Sequence, residues 1–164
     1  MSAPPSTAPS ARRRHELSLL AISAAMPVLT RAYHAAANKA IAHVGLSQTM
    51  GWPLVMVGRH GNGLRQGVLA EYIGVEAPSL ARSMDQLVEG GFIERREDAA
   101  DRRARTLHLT PAGEAACAKI EAALAALRNE LFAGVSQDDV AACTRVFTTL
   151  AGNLGCQLPQ APAA

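Results

Sequence analysis

Two short amphipathic segments, each closed by glycine, with an arginine-rich stretch straight after the second, constrain this chain more than any other feature. The first spans 65–73 and the second 77–89, with Gly74-Val75-Glu76 between them and Gly90-Gly91 after. Val68, Leu69 and Ile73 give the first an apolar face, Ala70 is small where a second helix must cross it, and Gly74 suits the turn. In the second, Leu80, Met84, Leu87 and Val88 recur at i, i+4, i+7 and i+8, which is one stripe of a helix. Arg82 falls opposite that stripe, with Ser79, Gln86 and Glu89 beside it. A helix this short gains little from propensity, so its stripe must be packed and its polar face is left outward. That face is either solvated or free to enter a groove.

The next stretch favours the groove. Phe92 to Arg96 and Thr106 to Leu109 read as strands, with Leu107 and Leu109 alternating, joined by a polar tip over 97–103. Arg95, Arg96, Arg102, Arg103 and Arg105 stand among Glu94, Glu97, Asp98 and Asp101, so ion pairs are expected to hold some of the arginines in place. The formal net charge is only +2, but fourteen arginines against two lysines leave the positive charge concentrated in the side chain that forks onto guanine edges and phosphates. A helix ending in Gly-Gly and followed by an arginine-tipped hairpin is a winged helix-turn-helix arrangement. The helix is placed to read the major groove, and the wing to reach the adjacent backbone or minor groove.

The flanks are helical. Alanine is abundant and aromatics are 4%, a mix that favours closely packed helices. One helix is expected over 13–44 with a kink at Pro27, and another over 46–60, capped by Ser47 and weakened by Gly51 and Pro53. Thr110-Pro111 caps a helix running to about Phe132, and a last helix covers 137–154. Ile120, Leu124, Leu127 and Leu131 form one apolar seam, and Val140, Cys143, Phe147, Leu150 and Leu154 another. Each either closes an internal core or joins two copies of the chain. The expected fold is therefore mainly α with a small β-hairpin, its terminal helices forming a dimerisation region. Pro- and Ala-rich tails are expected at 1–12 and 157–164.

Several functions find no support. There is no phosphate-cradling glycine loop, no G-x-S-x-G and no H-E-x-x-H, so no enzyme is expected. His15, His34, His43, His60 and His108 show no paired metal spacing, and neither a metal nor a cofactor is expected. Cys117, Cys143 and Cys156 read as reduced, partly buried thiols of a cytoplasmic protein, the alternative being a redox sensor. Arg12-Arg13-Arg14 before the apolar run from Leu17 to Val28 is superficially like a secretory signal. His15-Glu16 breaks the junction, and the run is too short to span a membrane. A dimeric adaptor whose winged helix binds protein is the other reading of the same features.

The stretch LAEYIGVEAPSLARSMDQLVEGGFIER from Leu69 to Arg95, then DRRAR from Asp101 and LTPAG from Leu109, resembles the MarR family. The Pro78-Ser79-Leu80-x-Arg82 start and the Asp-Arg-Arg-Ala wing are most similar to its SlyA-like branch. The resemblance implies one domain over 13–156, with a DNA-binding lobe at 46–110 and dimerisation helices at 13–45 and 111–156. It implies a homodimer on double-stranded DNA with a pseudo-palindromic operator. Pro78, Ser79 and Arg82 match positions that face bases and phosphates. Asp101 and Arg103 match a wing motif in which the acid orients the arginine, and Arg102 would be a second tip contact. Gln86, Arg96 and Arg105 complete the expected DNA surface. Many relatives release DNA when a small aromatic acid or phenol enters a cleft. Tyr33, His34, Asn38, Trp52, Met56, Arg59 and His60 are the candidates here for an aromatic wall with cationic or hydrogen-bonding groups. Thiol-sensing relatives carry their cysteine in the first helix, which holds none here.

Overall fold

The computed structural model describes residues 10–98, 100, 101, 104–156 and 158. The chain divides into two compact units, one ending at Ala36 and the other beginning at Ala37. The first unit is most of a long helix, α1 (Ala11–Ile41), which starts two residues earlier than expected and runs through Pro27 without a break. Among its apolar side chains Leu17, Leu20, Ile22 and Leu29 are exposed. Residues 1–9 of the tail expected at 1–12, and all of 157–164 except Leu158, lie outside the described residues.

In the second unit α1 ends on a 3-10 turn (Ala42–Val44), where Gly45 takes a left-handed φ of 76°. The chain then enters α2 (Gln48–His60) with Ser47 as its N-cap. The Ser47 hydroxyl bonds the Thr49 hydroxyl at 2.8 Å instead of the helix, and Asn38 supplies the missing acceptor, its Oδ1 taking the Gln48 N–H at 2.7 Å. Leu54, Val55, Met56 and Val57 are all buried, so α2 is the hub of the core. Gly51 and Gly58, two turns apart, permit this. A β-carbon at 51 would stand 3.0 Å from Ile41 and 3.4 Å from Ile120, and one at 58 would stand 2.9 Å from the Cys117 sulfur. The two glycines therefore let α5 and the end of α1 close onto α2.

Next come α3 (Gln66–Ile73) and α4 (Ala77–Glu89), joined through Gly74 at a φ of 72°. Leu69 and Ala70 are the buried pair on α3, whereas Val68, expected on its packed face, is exposed. On α4 Leu80, Met84 and Leu87 are buried and Val88 partly so, as the stripe requires. The hairpin is β2 (Ile93–Glu97) and β3 (Arg105–Leu109), antiparallel with Ile93 opposite Leu109 and Glu97 opposite Arg105. A third strand not expected from the sequence, β1 (Leu64–Arg65), pairs with the other edge of β3 and gives the order β1-β3-β2.

Thr110 caps α5 (Pro111–Leu131), its hydroxyl accepting the Gly113 N–H at 3.0 Å while donating to the Gly91 carbonyl at 2.6 Å. Ile120 and Leu124 are buried in the chain's own core and Leu127 packs on it, so that seam is intramolecular over most of its length, with only Leu131 exposed. The last helix, α6 (Gln137–Leu154), behaves differently. Val140, Cys143, Phe147 and Leu154 are exposed and Leu150 is half-buried, which leaves its seam uncovered within the chain. No helix among the described residues is long and apolar enough to cross a membrane.

Candidate nucleic-acid interface

Packing of the α4 stripe turns the opposite face outward, and Pro78, Ser79, Arg82 and Gln86 are all exposed on it. They line an open groove of about 580 Å³ together with Ser83 and with Thr49 from the first turn of α2. Thr49 and Ser83 carried no signal in the sequence. Thr49 comes from an element distant in the chain, and Ser83 sits only on the edge of the α4 polar face. Among the described residues Arg82 has no acidic partner. It is thus a cation on the outward helix face, with its charge available to a polyanion.

The wing arginines are held differently. Arg95 follows Ile93 by two residues and so shares its face of β2. Its Nη2 donates to Asp85 Oδ1 on α4 at 2.7 Å and to Gln66 Oε1 on α3 at 3.4 Å. Arg65 reaches across β3 to Asp98, with Nε at 2.7 Å and Nη2 at 2.6 Å from Oδ2. The other Asp98 oxygen accepts the Ala100 N–H at 2.8 Å. That backbone bond, followed by the Arg65 guanidinium, holds the Asp98 carboxyl below its usual range, and Asp98 in turn raises Arg65. Arg96 pairs with Glu94 on its own strand, and Arg105 lies 3.5 Å from Glu97 across the hairpin. The wing is accordingly a set of arginines oriented by acids. Asp101 is exposed at the tip, where its carbonyl accepts the Ala104 N–H at 2.9 Å; Arg102 and Arg103 lie outside the described residues.

The candidate ligand residues fall into separate settings. Met56 is buried in the core. Asn38 caps the start of α2, as described above. Arg59 forks onto Glu121 of α5 at 2.6 and 2.8 Å and lies 5.5 Å from the centroid of the Trp52 ring, so these two do come together. This guanidinium holds the Glu121 carboxyl below its usual range. His60 stacks on Tyr72 of α3 at 4.2 Å, and Tyr33 meets His34 edge-on at 6.5 Å within the first unit. Of the cysteines, Cys117 is half-buried, its thiol pushed up by burial and then by Glu121, whereas Cys143 and Cys156 are exposed. Among the described residues no cluster of His, Cys, Asp and Glu could hold a metal ion.

A packed helix presenting a polar face beside a three-stranded wing defines a transcriptional regulator of the winged helix-turn-helix class. The MarR family model matches residues 54–104, from within α2 to the loop that precedes β3. The crystal structure of transcriptional regulator PA3341 is similar at 34% identity and a TM-score of 0.76, covering 82% of this chain and 98% of that one. That of the transcriptional regulator SlyA is similar in fold at 23% identity and a TM-score of 0.74, covering 81% and 93%. A mutant MarR from E. coli, crystallised in complex with operator DNA, shares the fold at 19% identity and a TM-score of 0.73, covering 81% and 95%. The chain belongs to the MarR family. SlyA is one of several regulators with this fold, and no branch of the family is singled out.

Proposed function

We propose that this protein is a sequence-specific double-stranded DNA-binding regulator that acts as a homodimer in the cytoplasm, and that it is not an enzyme. The observation that carries the reading is Arg82, exposed, without an acidic partner among the described residues, and opposite the buried stripe of Leu80, Met84 and Leu87. In this reading Pro78, Ser79, Arg82 and Gln86 face base edges and phosphates, Arg96 and Arg105 face the backbone, and Asp101 with Arg102 and Arg103 forms the wing tip.

The homodimer is supported by α6, where Phe147 is 48% and Leu154 78% exposed on one seam, and by the apolar side chains exposed on α1. Apolar patches of this extent mark an interaction surface on a soluble protein. A twofold dimer carries two reading helices, which calls for a pseudo-palindromic operator with half-sites about one helical turn apart. Release by a small aromatic acid or phenol is part of the same proposal, with Trp52 and Arg59 as the aromatic and cationic contacts.

Selection of duplexes from a random pool, followed by footprinting and light scattering, tests the reading. Symmetric protection by a dimer is the expected result, and protection of a lone half-site by monomer contradicts it. An adaptor that binds protein would select no duplex at all.

A further inference from the structure

Five side chains brace the wing, Arg95 with Asp85 and Gln66 against the helices and Arg65 with Asp98 across the sheet. The Arg95 guanidinium joins three elements, since it extends from β2 and meets Asp85 of α4 and Gln66 of α3. Arg65, adjacent to Gln66 in the chain, holds Asp98 at the far end of β2 across the width of the sheet. The Arg95 contacts therefore pin β2 to α3 and α4, and the Arg65–Asp98 pair ties the far end of β2 to the β1 edge that leads into α3, so the wing cannot tilt away from α4 without breaking the Arg95 contacts. A single exposed ion pair adds little stability, so the value of these contacts lies in orientation. There is also a charge argument. The Asp85 side chain is 58% exposed on the flank of α4, where an uncompensated carboxylate would repel phosphate; Arg95 neutralises it, and is itself only 33% exposed.

We propose that Asp85 and Arg95, backed by Arg65 and Asp98, are positioning residues that fix the wing against the reading helix and do not themselves contact DNA. This rests on the DNA-binding reading above and deepens it. Arg95 is then an exception among the wing arginines, because its contribution to binding passes through Asp85.

The test uses the whole 164-residue chain as it assembles in solution and a duplex that the wild-type protein selects from a random-sequence pool. Arg95→Gln is expected to weaken binding about tenfold or more and Asp85→Asn less, because it leaves no repelling carboxylate; the charge swap Asp85→Arg with Arg95→Asp should recover to within about threefold of wild type. The slope of log affinity against log salt should stay at the wild-type value in Arg95→Gln, since no phosphate contact is lost. Backbone amides of β2 in the DNA-free protein should exchange hydrogen faster in each single variant and return to wild-type rates in the swap. A salt slope that drops in magnitude by about 1 per subunit in Arg95→Gln makes Arg95 a phosphate contact and overturns the proposal. Unchanged affinity and exchange in Asp85→Asn and Arg95→Gln overturn it as well, and these two mild variants suffice if the swap fails to fold. A wild-type protein that selects no duplex refutes the DNA-binding reading itself, while amide exchange in the free protein still tests the tether.

Discussion

Gly113, in the first turn of α5, lies against the Phe92 carbonyl so closely that a β-carbon there would overlap the oxygen. The same carbonyl accepts the Thr110 N–H at 3.1 Å, which seats α5 directly on the turn between α4 and β2. Gly113→Ala must lift α5 off that turn and strain the cap. It is expected to destabilise the protein by about 3 kcal/mol, at the upper end of what overpacking costs. Urea unfolding measures it, and a loss below about 0.5 kcal/mol would show that the junction yields easily.

The Arg59–Glu121 pair makes stability depend on pH. Glu121 is held below its ordinary value of 4.5 in the folded chain by the Arg59 hydrogen bonds. A depressed carboxyl contributes stability that is complete above the unfolded value and is lost as pH falls through the folded one. Stability should therefore decline from about pH 4.5 downward by about 1 kcal/mol from this pair, allowing for its partial exposure. Glu121→Gln should remove that part of the acid slope. Thermal unfolding from pH 3 to 7 reads it, and an identical slope in the variant would exclude the pair as its source.

Cysteine reactivity separates the three thiols. Cys117 sits under Gly58 with its thiol pushed up by burial, so it should resist alkylation near neutral pH, while the exposed Cys156 reacts fast. Cys143 lies on the α6 seam and should be protected where that seam pairs with a second copy, as proposed above. Mass spectrometry after a brief pulse of alkylating reagent checks this, and rapid labelling of Cys117 would contradict its packing.

What could be read from the sequence followed from contacts local in the chain. The α4 stripe, the outward Arg82 and the Thr110-Pro111 cap all follow from spacings within a turn or two, and each has its expected place. Interactions between distant residues were not legible. β1 consists of two residues and exists only because β3 pairs with it. Gly51 reads as a weakness within α2 until Ile41 and Ile120 are seen against it. Periodicity finds an apolar face but not its cover, which is why the α5 and α6 seams look alike in sequence and differ in the fold. Val68 reads as a packed position of α3 and is exposed for the same reason. Arg59 is legible as a cation near Trp52, but nothing local in the chain points to Glu121 as its partner.

The α6 seam gives a direct assembly test. Phe147→Asp with Leu150→Asp places two carboxylates on the face expected to pair with a second copy, where burying an unpaired charge is prohibitive. The variant should be monomeric by light scattering and should lose operator binding while its α-helical signal is retained. A variant that stays dimeric and binds normally would remove α6 from the interface.

The central claim is that α4 reads sequence and the wing supplies a less specific grip. Its most direct test is a salt titration of Arg82→Ala and Arg103→Ala, each on the selected operator and on a scrambled duplex. Arg82→Ala should lose about 1–3 kcal/mol on the operator and little on the scrambled duplex, relaxing preference at one position per half-site. Arg103→Ala should weaken both duplexes alike and lower the salt slope by about 1 per subunit, and Asp101→Ala should be a milder version of it. Equal weakening of both duplexes by Arg82→Ala, or an unchanged slope in Arg103→Ala, would contradict the account.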